Sequence, residues 1–288
     1  MTQAHETSIA EGVALRRNQH GREFIEIVHA NVNARIALEG AHIVSCSPSG
    51  QKDLLWLSPQ EPELPGAPLR GGIPICWPWF GNQRPGPAHG VARSALWVLH
   101  DLTVSKDQVR VCLELPSTTI ERLLPEEQWQ LSVEFVLGQE LQVTLVTTNT
   151  GTQVQPLGQA LHTYLPVSDI DRVEVLGLDG CAYLDQLTGH TEQQAGAVRF
   201  TGEVDRIYQG DVTQVTLVEP ADRIEIHATG SSSTVVWNPW RDKALRLGHF
   251  PADGYQHMLC IESANAGADV RVLQPGETHR LTARIRRP

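Results

Sequence analysis

The sequence predicts an all-β protein, a sandwich or barrel of many short antiparallel strands. Apolar and polar residues alternate with a period of two in several runs, turn residues separate these runs, and amphipathic helical patterns are scarce. No linker or shift in composition divides the chain. We therefore expect one domain over residues 21–288 and a flexible or edge segment over residues 1–20.

The alternation marks individual strands, each with one buried face and one wet face. Runs with this pattern occupy residues 109–115, 131–137, 141–145, 224–226 and 281–285. Gly138 and Gln139 lie between two of these runs and predict a tight hairpin. Residues 125–129 are the segment for which we expect a turn or two of helix.

Three stretches interrupt the alternation, and we expect them to be loops. They cover residues 59–93, 185–211 and 238–256. Long irregular segments in a compact domain are usually functional or disordered. Aromatic residues in the first and third stretches argue against disorder there.

The overall charge argues against nucleic acid and membrane partners. The chain of 288 residues has 33 acidic and 23 basic side chains, which gives a formal net charge of −10. Such an excess of acid does not attract phosphate backbones or anionic lipids broadly. An anionic ligand must therefore be held by a local basic pocket.

The cysteines predict neither a disulfide framework nor a zinc cluster. They number five, are scattered, and form no C-x-x-C. Reduced cysteines are typical of cytosolic proteins.

The N-terminus is polar, and no stretch approaches the ~18 apolar residues of a membrane span. We therefore expect a soluble, cytoplasmic protein.

The common cofactor and nucleophile motifs do not occur in the sequence. It has no G-x-x-x-x-G-K-[ST], no G-x-G-x-x-G, no H-E-x-x-H and no G-x-S-x-G. None of the 12 histidines forms a close metal-ligand pair on an obvious strand or helix, although ligands can converge from distant positions. We expect no metal and no cofactor.

Residues 70–81 read RGGIPICWPWFG and predict a rigid loop. Glycine permits close approach of backbone and ligand, and proline stiffens the chain. An arginine on such a loop presents a fixed fork to a bidentate anion such as phosphate. The alternative is that the aromatic residues fill the core and Arg70 faces water.

Two ionisable residues lie inside apolar segments. Glu262 shares strand parity with Met258 and Cys260, which favours a pocket-facing carboxylate with a raised pKa. His162 lies in a similar apolar run, residues 160–165. The alternatives are a salt-bridged structural glutamate and a satisfied core histidine.

The remaining candidates give weaker signals. His89 and Arg93 flank a glycine, and their alternative is an ordinary surface turn. Asp205 lies in a short segment, VDRIY. Tyr208 and Trp237 are either core residues or flat platforms on which sugar rings stack.

Together, these segments resemble the hexose-6-phosphate mutarotases, a branch of the aldose 1-epimerase superfamily. The first matching segment is highly specific, whereas ALHTYL and CIE are weak alone. The segments follow the family's order over most of the chain: LRGGIPICWPWFG (69–81), PAHGVAR (87–93), ALHTYL (160–165), VDRIY (204–208), VVWNP (235–239) and DGYQHMLCIESA (253–264).

The resemblance implies a fold and a reaction. The fold is a large antiparallel β-supersandwich of the galactose mutarotase type, with its site in a cleft on one sheet. The resemblance implies that His162 is the general acid and Glu262 the general base that open and close a sugar ring, without metal or cofactor. The expected partner is a small sugar phosphate and the expected state is a monomer. Substrate contacts are expected from Arg70, His89, Arg93 and Asp205, with the arginines near the phosphate.

The sequence departs from the family's pattern at a few positions. Ala88 stands where some relatives have a glutamine before the HG pair, so a contact from that side chain is absent. HGVAR replaces HGFAR and ALHTYL replaces ALHTYF, which reshapes the pocket wall. Three other functions stay open: a mutarotase for free aldoses such as galactose, a carbohydrate-binding protein without turnover, and a regulatory subunit that senses sugar phosphate.

Overall fold

The computed structural model describes residues 6–288. The first five strands form an antiparallel sheet in chain order, with β1 at one edge. Within the segment 1–20, residues 1–5 lie outside the described part, and the rest supplies the two strands on one side of this sheet. The strands are β1 (Glu6–Ala10), β2 (Val13–Arg17), β3 (Glu23–His29), β4 (Val32–Ala37) and β5 (His42–Pro48).

The remaining strands and helices follow in chain order. The first half contains β6 (Ile75–Cys76), β7 (Val98–Val104), β8 (Val109–Leu115), α1 (Ser117–Leu123), β9 (Trp129–Leu137), β10 (Leu141–Asn149), β11 (Gln155–Leu157), β12 (Gln159–Leu161), β13 (Tyr164–Pro166) and β14 (Glu174–Leu176). The second half contains β15 (Ala182–Asp185), β16 (Thr191–Gln193), β17 (Val204–Gln209), β18 (Gln214–Glu219), β19 (Asp222–Thr229), β20 (Ser233–Asn238), α2 (Trp240–Ala244), β21 (Met258–Asn265), β22 (Arg271–Leu273) and β23 (Thr278–Arg286). Between residues 6 and 288, no helix has the length and apolar character needed to cross a bilayer.

Two larger antiparallel sheets enclose the main core, which confirms the predicted all-β sandwich. One has the strand order β14-β18-β19-β23-β10-β9-β8-β7. The other, called the site sheet below, has the order β16-β15-β17-β20-β21-β12-β6, and β13 also pairs with β21. Val133 and Leu145 of the first sheet belong to the same buried cluster as Leu259 and Ile261 of the site sheet.

The alternating runs are strands, as the sequence predicts. In β8, every second side chain from Val109 to Leu115 is buried. β9 and β10 form the predicted hairpin, with Leu137 opposite Leu141 and the turn between them at Gly138. The period-two pattern therefore identifies strands wherever one face is wet.

The helix prediction at residues 125–129 is wrong. The helix α1 ends earlier, at Leu123, and Trp129 is buried at the start of β9. Pro125 explains the difference, because the residue before a proline is disfavoured in the α conformation. Leu124 accordingly has φ −136° and ψ 68°.

The loop prediction for residues 185–211 is wrong in part, because β16 and β17 both lie inside it. β16 is exposed along its whole length, and β17 has an irregular burial pattern. One reason is that Asp205 of β17 faces a cavity. Neither strand shows the alternation of a half-buried strand, so period-two patterning does not predict either of them. The other two stretches are mostly irregular, although they contain β6 and α2.

The loop at residues 70–81 is fixed by close contacts between backbones. Gly72 has a φ of 63°, and a Cβ at this position would lie 2.2 Å from the Ile43 carbonyl oxygen. The Tyr164 N–H donates to the Gly72 carbonyl oxygen at 2.9 Å. Glycine is required here because backbone packs on backbone. Arg70 is thereby carried on a stiff support.

Candidate active site

A cavity of about 480 Å³ opens beside the site sheet. Its volume falls in the range of roughly 300–1,000 Å³ that is typical of small-ligand sites. The six site residues predicted from the sequence all line this cavity, although they come from distant parts of the chain: Arg70, His89, Arg93, His162, Asp205 and Glu262. The fold therefore collects every one of these candidates at one place.

His162 and Glu262 face each other in this cavity. Glu262 lies in the middle of β21, a strand buried at every residue, and is 1% exposed. His162 follows β12 and is 8% exposed. The His162 Nε2 atom lies 3.4 Å from Glu262 Oε1. The backbone N–H of His162 donates to the Pro74 carbonyl oxygen at 3.1 Å, which anchors this residue beside the glycine-rich loop.

Burial shifts the pKa values of the two groups in opposite directions. It raises the pKa of Glu262 well above its ordinary value, and the charge of Asp205 adds to this effect. Burial lowers the pKa of His162 well below its ordinary value, and the neighbouring His89 and the charges of Arg93 and Arg70 act in the same direction. Burial of the pair therefore favours its neutral form, a carboxylic acid beside an imidazole.

Two polar atoms of this pair lack a hydrogen-bond partner among residues 6–288. They are Nδ1 of His162 and Oε2 of Glu262, and both are buried. Unsatisfied buried polar groups are rare and often mark functional sites. The imidazole ring is held by aromatic contacts instead, since Tyr164 stacks on it at 5.0 Å and Trp237 meets it edge-on at 6.1 Å.

His89 forms a second imidazole wall of the cavity. Its ring lies 5.6 Å from the ring of His162. Its Nδ1 faces the N–H of Gly81 and the sulfur of Cys76, each at 3.4 Å. Burial, together with the charge of Arg93, lowers the pKa of His89 to about 4. His89 is therefore neutral near pH 7.

Arg70 and Arg93 are two basic side chains that line the cavity. Within residues 6–288, no carboxylate lies within ion-pair distance of either guanidinium, whereas Arg84 outside the cavity is paired with Glu127. Arg93 donates instead to the Ala88 carbonyl oxygen at 2.6 Å. Two arginines without a carboxylate partner are suited to hold an anionic group of a ligand.

Asp205 is held from two sides by residues that the sequence analysis missed. Gln186 donates to Oδ1 of Asp205, and Lys243 Nζ lies 3.7 Å from its Oδ2. Lys243 also pairs with Glu203 at 2.8 Å. Burial raises the pKa of Asp205, and the charge of Lys243 opposes this rise. Neither Gln186 nor Lys243 lies in a recognisable motif, so no signal in the sequence identifies them.

Similar proteins identify the family. The model of the family described as aldose 1-epimerase matches residues 23–286, nearly the whole chain. The chain belongs to the aldose 1-epimerase family. The resemblance drawn from the six sequence segments is thereby confirmed, and the protein is an isomerase whose substrate class is sugars.

Relatives within this family span most of the chain. A protein of Escherichia coli K12 named "Putative glucose-6-phosphate 1-epimerase" is 31% identical over 274 residues, which cover 93% of this chain and 91% of that protein. A protein of the same name from Cenchrus ciliaris is 33% identical over 266 residues, covering 87% and 80%. A solved structure described as a "putative mutarotase" from Salmonella typhimurium superposes with a TM-score of 0.88 at 28% identity, covering 97% and 94%.

This aldose 1-epimerase fold also brings three metal-binding residue types together, which the sequence spacing did not indicate. Ligand atoms of His162, Cys260 and Glu262 lie within 4.8 Å of one another. Their surroundings disfavour a cation, because the charges of Arg70 and Arg93 already act on His162. Burial also raises the pKa of the Cys260 thiol well above its ordinary value, so the thiolate ligand is costly to form. The cluster is better suited to proton transfer than to metal binding.

Proposed function

We propose that the protein interconverts the α and β anomers of a hexose 6-phosphate, with glucose 6-phosphate as the preferred substrate. The observation that carries this proposal is the His162–Glu262 contact of 3.4 Å in a cavity that also holds two arginines without carboxylate partners. The printed names of the relatives support the choice of glucose 6-phosphate.

In the proposed mechanism, ring opening needs two proton transfers. The imidazolium of His162 donates a proton to the ring oxygen while the carboxylate of Glu262 removes the proton of the anomeric hydroxyl. The bond between C1 and the ring oxygen breaks, and C1 becomes an aldehyde carbon. Each positioned acid or base of this kind contributes roughly 10²–10⁴ in rate.

Closure reverses these transfers after rotation about the C1–C2 bond. Glu262, now protonated, returns a proton to the aldehyde oxygen, and neutral His162 accepts the proton of the attacking hydroxyl. Attack on the other face of the aldehyde gives the other anomer. The open-chain state therefore coincides with the neutral form of the pair, which is also the form that burial favours.

Substrate binding has to shift this pair toward carboxylate and imidazolium. The charges of Arg93 and Arg70 contribute to the low pKa of His162. A phosphate paired with these arginines compensates their charge and raises the pKa of His162. The phosphate thus anchors the sugar and also makes the acid available.

The proposal is tested by saturation-transfer NMR between the anomers of glucose, galactose and mannose 6-phosphates and of free glucose and galactose. We expect fast enzyme-dependent exchange for a hexose 6-phosphate and much slower exchange for the free sugars. Equal exchange of free galactose would establish the free-aldose alternative. Binding without exchange would establish a carbohydrate-binding protein and overturn the proposal.

We further propose that the protein acts as a cytoplasmic monomer. The cavity of one copy holds the proposed acid, the proposed base and both arginines, so the proposed reaction needs no residue of a second copy. All five cysteines are free thiols, which is consistent with a reducing compartment. Sedimentation equilibrium with and without glucose 6-phosphate tests the monomer, and a stable dimer would contradict it.

A further inference from the structure

We propose that Cys76 is a positioning residue that holds His89 in the tautomer with its proton on Nε2, so that His89 acts as a neutral hydrogen-bond donor to an oxygen of the sugar. Cys76 lies on β6 in the site sheet and is fully buried. Its sulfur lies 3.4 Å from Nδ1 of His89. The proton-transfer mechanism above gives no role to this thiol.

The tautomer follows from a second neighbour of the same ring nitrogen, Nδ1. The backbone N–H of Gly81 points at His89 Nδ1 at 3.4 Å. An amide N–H can only donate, so the nitrogen that faces it must carry a lone pair. Because neutral imidazole has one protonated nitrogen, the proton lies on Nε2. The Cys76 thiol then also acts as a donor toward Nδ1, and burial favours this S–H form because it raises the pKa of Cys76.

The backbone that carries the His89 ring is fixed by hydrogen bonds and close contacts. His89 has a φ of 65°, and its N–H donates to the Gly81 carbonyl oxygen at 2.8 Å. Trp77 donates its N–H to the His89 carbonyl oxygen at 3.2 Å. A Cβ on Gly90 would lie 2.0 Å from the carbonyl oxygen of Trp77, so the HG turn fits only with glycine at the second position. The ring is further packed edge-on against Phe80 at 4.9 Å.

This arrangement separates the tasks of the two cavity histidines. Nε2 of His89 has no hydrogen-bond partner in the described chain, and the ring lines the cavity, so Nε2–H is free to donate to a ligand. The charged and titratable groups that face His89 are Arg93, His162 and the Cys76 thiol. A neutral His89 does not repel the imidazolium that His162 must form during ring opening.

The tautomer is tested without substrate, by two-bond ¹⁵N–¹H correlation spectra of protein labelled with ¹⁵N-histidine. Spectra of His89→Gln identify the His89 signals by their disappearance. We expect an unprotonated Nδ1 and a protonated Nε2 near neutral pH. Cys76→Ala leaves Nδ1 with only the long contact from the Gly81 N–H, so it is expected to broaden or mix the two tautomers. Cys76→Ser keeps a donor and is expected to restore the Nε2–H form. A proton on Nδ1 in the unaltered protein would overturn the proposal.

The activity measurements rest on the proposed function, whereas the tautomer spectra do not, so the two can fail separately. Loss of one hydrogen bond predicts a decrease in kcat of about 2- to 10-fold for Cys76→Ala and recovery to within about 2-fold for Cys76→Ser. Cys46→Ala is the matched control, because Cys46 is equally buried but lies on β5 of the five-stranded sheet. Similar kcat losses in Cys76→Ala and Cys46→Ala, with unchanged His89 signals, would show a purely structural role.

Discussion

His162 and Glu262 occupy directly opposite positions across two neighbouring chain segments. Leu161 pairs with Ser263 in the β12–β21 ladder, and Tyr164 pairs with Cys260 in the β13–β21 ladder. The same antiparallel register places residue 162 opposite residue 262. Directly opposed side chains in a sheet share a face, with Cβ atoms roughly 4.5–5.5 Å apart. The proposed acid and base are therefore aligned by backbone pairing, which makes their separation insensitive to side-chain changes elsewhere.

Glu262→Gln is expected to abolish most of the exchange activity without unfolding the protein. The amide has nearly the shape of the carboxyl group but cannot remove a proton, so the rate should fall by roughly 10²- to 10⁴-fold. Saturation-transfer NMR on glucose 6-phosphate measures the rate, and circular dichroism checks the fold. Near-normal exchange in a folded Glu262→Gln variant would exclude Glu262 as the base.

The same substitution predicts a stability change whose sign depends on pH. The folded pKa of Glu262 lies above its ordinary value of 4.5, so the carboxyl group favours the folded state below that pH and destabilises it as pH rises toward the folded pKa. Glu262→Gln removes this penalty. We therefore expect the free energy of unfolding of Glu262→Gln, relative to the unaltered protein, to increase from about pH 4 to about pH 8 in urea titrations.

Glu225→Gln provides a control of opposite sign for this measurement. The hydrogen bond from Arg286 lowers the pKa of Glu225, so its contribution to stability is present above its ordinary pKa and is lost as pH falls. Glu225→Gln should therefore be destabilising near pH 7 and neutral in acid. Parallel pH profiles for the two variants would contradict the opposite shifts.

Arg93→Ala and Arg70→Ala are expected to weaken binding of phosphorylated sugar selectively. Loss of a charge-assisted contact predicts a rise in KM for glucose 6-phosphate of about 10- to 100-fold. The exchange of free glucose should change far less. Arg84→Ala is the matched control, because Arg84 is already paired with Glu127 outside the cavity. Equal losses of activity on glucose 6-phosphate and free glucose would show that the arginines do not bind the phosphate.

Lys243→Met is expected to affect both classes of sugar alike. Lys243 is paired with carboxylates rather than free for an anion, and its charge holds down the pKa of Asp205. Its removal should therefore disturb the contact of Asp205 with the sugar and raise KM for glucose and glucose 6-phosphate by similar factors. An effect confined to glucose 6-phosphate in anomer-exchange kinetics would instead assign Lys243 to the phosphate.

Phosphite added in solution is expected to accelerate the exchange of free glucose. Apart from burial and His89, the charges of Arg93 and Arg70 keep the pKa of His162 low, and an anion bound between them removes this effect. Activation should saturate with phosphite concentration and disappear in Arg93→Ala. Blanks without enzyme correct for catalysis by the anion itself. Simple inhibition by phosphite would show that its binding does not promote protonation of His162.

The sequence predicted the main polar residues of the site, but not the strand pairing and the neighbouring side chains that position them. Arg70 and Glu262 are conspicuous because a loop of glycines and prolines carries one and an apolar strand carries the other. The opposition of His162 and Glu262 depends on the pairing of β12 with β21, and strand pairing leaves no signal in a single sequence. Gln186 and Lys243 escaped notice for a related reason, since an isolated polar residue in a turn or on a short helix looks like any solvated one.

Each error in the fold prediction has a local physical cause. Periodicity finds a strand such as β8, which is wet on one face, and misses β17, where Asp205 turns toward a cavity. A helix was predicted at residues 125–129 because the polar residues after Pro125 resemble a helix start. The helix α1 instead ends at Leu123, since Pro125 disfavours the α conformation at Leu124. Functional positions are thus where local sequence rules fit least well.

The burial of β21 along its whole length has a consequence for thermal inactivation. A strand covered on both sides opens only when the sheet around it opens, so the carboxyl group at its centre has no local route to disorder. Heating should leave turnover intact until the cooperative melting of the entire molecule. The residual rate of turnover would then be proportional to the fraction of molecules that remain folded.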